Sequence, residues 1–187
     1  MGAIAADVPV GSDDELVLAA RNNTRAFGDL YERHQLAVYR YLRARGFDDD
    51  QAGDLTAATF ERAMGNLHRF RTGGSGFLPW VLRISGNLAT DSRRRKAASV
   101  RALIGWRGAE PAPDPAQLLI RDEEDRLLVE RLRRLPTAQR EAIVLRYAAG
   151  LTAAQIGELT GRKPAAAQKL ITRALQALKE AYRDDQR

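Results

Sequence analysis

Apolar residues recur every three to four positions along almost the whole chain, and no segment alternates apolar with polar residues as a half-buried strand would. This regularity excludes a sheet-based core and predicts an all-α protein. "SDDE" at 12–15 sets Ser12 three residues before Glu15, a capping box opening a short helix with Leu16, Val17 and Ala20 inward. A second helix begins near Thr24; Phe27, Leu30, Tyr31, Val38, Tyr41 and Leu42 form its buried stripe, and Gly46 ends it. The third, "DDDQAGDLTAATFERAMGNL", starts with acids that suit the helix dipole and turns Leu55, Phe60, Ala63, Met64 and Leu67 inward. After the glycine-rich "HRFRTGGSGF", a fourth helix runs from about Phe77 to Lys96. Its inner face is Phe77, Trp80, Val81, Ile84 and Leu88. Gly86 lies inside it, at a cost of roughly 1 kcal/mol relative to alanine.

The periodicity breaks at 97–116, where prolines cluster at 111, 113 and 115. This stretch reads as a linker partly stiffened by proline, with "ALIGW" able to dock on a surface. Helical spacing then resumes. Asp114, Pro115 and Gln117 mark the start of a helix reaching about Leu135. The next is capped by Thr137 and closed by Gly150. Thr152 and Gln155 form another capping box, Gly161 stops that helix, and Pro164 opens the last one. The expectation is two small helical domains, 12–96 and 117–187, joined by a flexible linker, 97–116, and preceded by a flexible N-terminus, 1–11. The second domain contains a helix-turn-helix.

Composition narrows the function. Thirty Lys and Arg against 24 Asp and Glu give a net charge of +6, which favours an anionic partner (nucleic acid, a membrane surface or an acidic protein) or serves solubility alone. There is no Cys, hence no disulfide, thiolate metal site or thiol nucleophile, and a reducing cytosol fits. No apolar run reaches the ~20 residues of a membrane span, and the N-terminus lacks a basic leader. His34 and His68 belong to no metal-ligand set. "GGSG" at 73–76 lacks the following Lys-Ser/Thr of a phosphate loop and reads as a flexible turn. Asp48, Asp49 and Asp50 fit a helix start better than a metal. No enzyme site, cofactor or small-molecule substrate is expected.

Two constellations remain. In the last helix Ala167, Leu170, Ile171, Ala174, Leu175 and Leu178 share one face, the core side. The opposite face carries Ala165, Gln168, Lys169, Thr172, Arg173 and Gln176, residue types that read base edges or hold phosphates, or that simply face water. The second is "TDSRRRK" at 90–96, which complements a helix C-terminus or binds nucleic acid. His68, Arg69, Phe70 and Arg71 add aromatics among cations beside a mobile loop, the combination used on single strands.

These segments, in this order, resemble the extracytoplasmic-function (ECF) sigma factors of bacterial RNA polymerase. The resemblance spans about 12–182 and rests on "F..RA", "W.LRI..N...D..RR" and "LP..QREA..LRY..GL" taken together. It implies a cytoplasmic bacterial factor that binds core RNA polymerase, directs it to specific promoters and helps open the −10 element. A first-half region 2 would meet the β′ clamp helices through Asp54, Leu55, Phe60 and Arg62. The −10 element would meet His68, Arg69, Phe70 and Arg71, with Asn87, Asp91, Arg93, Arg94 and Arg95 along the DNA path. A second-half region 4 would sit on the β flap and read the −35 element with Arg162, Lys163, Ala165, Gln168, Lys169, Thr172 and Arg173. An anti-sigma factor is a further partner the family implies. The chain departs from the family pattern at Gly53, Ala57, Ala58, Lys163, Ala165 and Ala167, and its −10 loop is one residue longer than a common form. The alternative is a stand-alone helix-turn-helix regulator that binds duplex DNA without polymerase.

Overall fold

Eight helices and one 3-10 turn follow one another along residues 11–103 and 123–184, the residues described by the structure, a computed structural model; no strand occurs among them. They are α1 (Asp13–Ala20), α2 (Thr24–Ala44), α3 (Asp49–Gly65), the turn Leu67–Arg69, α4 (Phe77–Leu103), α5 (Glu123–Arg134), α6 (Thr137–Tyr147), α7 (Ala153–Thr160) and α8 (Pro164–Asp184). Residues 1–10 of the N-terminal lead-in, the last three residues of "ALIGW" (104–106), the proline cluster and the start expected at Asp114 lie outside the described residues. The capping boxes at Ser12/Glu15 and Thr152/Gln155 form as read, and Asp48 accepts from the Gln51 backbone N–H to cap α3. Thr137 does not cap α6: Pro136 holds that position without a side-chain bond, and Thr137 is the first helical residue. α4 continues past Lys96 to Leu103, because nothing between them breaks a helix.

Several inner faces differ from the sequence expectation. On α3, Met64 is 47% exposed, while Thr56 and Thr59 are buried. Those two hydroxyls bond the carbonyls of Ala52 and Leu55 one turn back, at 2.7 and 2.6 Å, so burial leaves no donor unpaired. On α4 the buried stripe is Phe77, Val81, Leu82, Ser85 and Ala89, and Trp80 lies only half-buried. On α8, Ala167, Ile171 and Ala174 are buried and Leu175 is 41% exposed.

α2 is the element around which the others assemble: α1, α3, α4 and α6 all pack on it. α1 is fixed by burial of Leu16 and Val17 and by Asp13, which accepts from Arg33 Nη1 at 2.7 Å and meets His34 Nε2 at 2.8 Å. Burial lowers the His34 pKa below its ordinary 6.5; the Asp13 charge and hydrogen bond oppose the shift, and Arg33 adds to it.

The two halves lie against each other, α6 on α2 and α7 on α4. At the α2 C-terminus, Arg140 Nε donates to Ala44 O at 2.8 Å, and Arg93 donates to Arg45 O. Arg45 Nη1 reaches the Tyr41 hydroxyl at 3.0 Å and Gly86 O at 3.3 Å, while its Nε lies 3.9 Å from Glu141. Gly86, costly within a helix, is explained here: a Cβ would stand 3.1 Å from the Tyr41 oxygen and 3.4 Å from Arg45 Nη1. Burial, reinforced by the Glu141 charge, pushes the Tyr41 pKa up to about 12.

Two outcomes follow. Arg140→Met keeps a long apolar stem but leaves the Ala44 carbonyl without its charged donor. It lowers unfolding free energy by about 1.5–3 kcal/mol in urea titrations. For His34 the depressed folded pKa means that the unfolded chain takes up the proton first. Its contribution is therefore present above pH 6.5 and lost as pH falls through the lowered folded value. Thermal melting between pH 7.5 and 5 declines less steeply in His34→Gln.

Candidate nucleic-acid interface

A groove of about 660 Å³ runs between the C-terminal end of α3, the 3-10 turn and the outer face of α4. Arg62, Asn66 and Arg69 form one wall; Trp80, Arg83, Ile84, Asn87, Thr90, Asp91 and Arg94 form the other. Four arginines face a single aspartate, so the groove is a positive channel with a flat aromatic in it. The α4 wall follows from helical spacing, since 80, 83, 84, 87, 91 and 94 recur every three to four residues on one face.

The structure thus brings together Arg69, Asn87, Asp91 and Arg94 of the residues assigned from sequence to the −10 path, and adds Arg62, assigned to the polymerase face. His68 and Arg71 are exposed beside the groove without lining it. Arg95 Nε turns back to Asp91 O at 3.4 Å. Arg93 is exposed overall, yet its guanidinium packs over the Phe47 ring at 5.1 Å and caps α2; burial and the adjacent Arg45 charge lower its pKa. Phe70 cannot offer a stacking face. It is 5% exposed, held edge-on against Phe77 and Trp80 with ring centres 5.9 and 5.3 Å away. The half-buried aromatic at the groove is Trp80, which sequence reasoning placed in the core. Asn66, Arg83 and Thr90 were missed, although the spacing on α4 could have found the last two.

The polymerase set does not form one surface. Phe60 is buried edge-on against Tyr31 and Phe27, with ring centres 4.9 and 6.4 Å away, Leu55 is half-buried, and Asp54 is exposed. Among the exposed residues of α3, Asp54, Ala57, Glu61 and Met64 are spaced as one helical face, away from Arg62 at the groove.

In the second half, α7 and α8 meet through a tight turn. Gly161 adopts φ 68°, and the backbone N–H groups of Gly161 and Arg162 both donate to Gly157 O, the latter at 2.8 Å. A Cβ on Gly157 would lie 2.6 Å from the Arg162 carbonyl oxygen, so only glycine permits this approach. Ala167 and Ala174 are fully buried and let α8 seat closely. Arg162, Lys163, Ala165, Gln168, Lys169, Thr172 and Arg173 are all exposed. Thr172 bonds Gln168 O at 3.1 Å, and among the described residues Lys163, Lys169 and Arg173 have no ion-pair partner.

Residues 30–99 match the family described as Sigma-70 region 2, and residues 125–178 match Sigma-70, region 4. The ECF RNA polymerase sigma factor BldN of Streptomyces coelicolor is 31% identical over 188 residues, 98% of this chain and 70% of BldN. The ECF RNA polymerase sigma factor SigC of Mycobacterium tuberculosis is 32% identical over 178 residues, 89% of this chain and 91% of SigC. Among solved structures, CnrH in complex with the cytosolic domain of CnrY superposes with a TM-score of 0.66 at 27% identity, covering 94% of this chain and 99% of CnrH. Among the described residues no helix is long and apolar enough to cross a membrane.

Gly157→Ala forces the α7–α8 turn apart against backbone. It lowers stability by about 1–3 kcal/mol, read by denaturant unfolding of the full chain.

Proposed function

The chain belongs to the ECF RNA polymerase sigma factors, which direct promoter-specific transcription initiation, and we propose a division of that work between its halves. The α3–α4 groove takes the displaced strand of the −10 element. Arg62, Arg69, Arg83 and Arg94 neutralise its backbone, while Trp80 and Asn87 meet an unstacked base. Arg71 and His68 flank the entry. Phe70 acts from beneath by supporting Trp80. The observation that carries this reading is the groove itself, since four arginines, the half-buried Trp80 and the Asn66 and Asn87 amides line it together.

The exposed face of α8 reads the −35 element in the major groove: Gln168 and Lys169 suit base edges, Arg173 and Lys163 suit phosphates, and Ala165 permits close approach. The outer face of α3, through Asp54, Ala57, Glu61 and Met64, meets the β′ clamp helices, and the second half meets the β flap. Base capture costs a few kcal/mol of unstacking, so strand opening belongs to the holoenzyme. The protein contributes binding and strand capture without catalytic chemistry of its own. It acts in the bacterial cytoplasm, and an anti-sigma factor is its further partner; the similar CnrH is itself seen in complex with a protein, the cytosolic domain of CnrY.

The test is reconstitution. Core polymerase with this chain is incubated with genomic DNA, run-off transcripts are sequenced, and the shared upstream elements define the promoter. Failure to bind any bacterial core enzyme overturns the reading. On the promoter so defined, Lys169→Ala reduces −35-dependent initiation by an amount equivalent to about 1–3 kcal/mol. Lys163→Ser has the smaller effect.

A further inference from the structure

The loop beside the groove is held by α1. After the 3-10 turn the chain runs through Phe70, Arg71 and Thr72 to Gly73, which takes φ 75°. The Phe70 carbonyl accepts from Arg21 Nη2 at 3.1 Å, and the Gly73 N–H donates to Asp14 Oδ2 at 2.9 Å. Asp14 and Arg21 lie seven residues apart, two helical turns, and so project from one side of α1 and its C-cap. One supplies an acceptor and the other a donor, matched to the two backbone groups that bracket Arg71 and Thr72. The helix that carries them is itself anchored: Leu16 and Val17 are buried, and Asp13 holds Arg33 and His34 on α2. The loop residues between the two bonds are exposed.

We propose that Asp14 and Arg21 are positioning residues for −10 recognition, fixing the backbone at Phe70 and Gly73 so that Arg69 and Arg71 are presented to the displaced strand in one geometry. The inference rests on the reading of this loop and groove as the −10 site. Neither residue touches DNA. Both act through the loop backbone, a flexible glycine-rich segment whose freedom would otherwise be spent on binding. Loss of either bond leaves the core and the groove walls in place and frees only the loop. The effect therefore falls on discrimination among −10 sequences rather than on polymerase binding.

The experiment uses full-length protein in holoenzyme on the promoter defined above, with single-base changes placed in the −10 element or in the −35 element. Asp14→Ala and Arg21→Ala reduce the preference for the matched −10 element about fivefold. The preference for the matched −35 element and the affinity for core polymerase stay as in the unaltered chain. Asp14→Asn keeps an oxygen acceptor and retains most of the preference. Equal loss on every template together with a lower melting temperature means a merely structural role and overturns the proposal. Unchanged −10 preference in both alanine variants overturns it as well. Arg69→Ala and Arg71→Ala separate the two levels. If they alter −10 preference while the α1 variants do not, only the positioning role fails; if they too have no effect, the reading of the loop as the −10 site fails with it.

Discussion

The C-terminal end of α2 is the constraint on which both halves depend. A helix leaves its last carbonyls unsatisfied, and here two of them, on Ala44 and Arg45, are taken by arginines from α6 and α4. Arg45 turns the other way, onto the Tyr41 hydroxyl and the Gly86 carbonyl, with Glu141 as the nearest anion. Three cations therefore gather round one carboxylate and a set of backbone oxygens. Hydrogen bonds to carbonyls, more than ion pairing, make this crowding tolerable. The same point ties α6, in the second half, to the helix that α1, α3 and α4 share.

Two groups of arginines in this protein do different work, and their partners distinguish them. Arg45, Arg93 and Arg140 are committed to backbone oxygens at the junction of the halves. Arg62, Arg69, Arg83 and Arg94 line the groove, where a single aspartate answers four positive charges. A net charge of +6 is modest for the whole chain; four arginines against one aspartate in one channel produce a local field that a polyanion can use. In the run Arg93, Arg94 and Arg95, the first caps α2, the second lines the groove and the third bonds the Asp91 carbonyl of its own helix. Successive residues on a helix point about 100° apart, so a basic run in sequence is not a basic surface in space.

The helix count, the capping boxes, the turn before α8 and the outer face of α8 were legible because each rests on local chemistry: a Ser or Thr three residues before Glu or Gln, a glycine at a left-handed cap, apolar residues at helical spacing. The family followed from the order of the motifs. What escaped the sequence depends on neighbours. Thr56 and Thr59 read as polar but are buried, since their hydroxyls bond their own helix. Met64 and Leu175 read as core but lie outside, because no helix of the described fold covers those sides. Trp80 reads as core from its size, yet its place at a groove wall is set by Phe70 and Phe77 beneath it. Phe60 fits a docking motif and is instead packed on Phe27 and Tyr31. A motif records which residues recur together; it does not separate those that touch a partner from those that hold the touching ones in place.

The start of α8 shows how stability and recognition divide. The Lys163 carbonyl takes the first helical bonds, from the N–H groups of Ala166 and Ala167. Its side chain has no acceptor to offer the remaining N–H groups. Serine or aspartate there would satisfy one of them from within the protein. Lysine leaves them directed outward and adds a positive charge at the positive end of the helix dipole, which is unfavourable in isolation. Both features favour an anion from outside, and the alanines at 165 and 166 keep bulk away from its path. Within the −35 reading, a side chain that capped the helix internally would compete with phosphate for the same N–H groups. The locally poor helix start and the exposed reading face are then one arrangement, in which the missing cap is supplied by the DNA backbone.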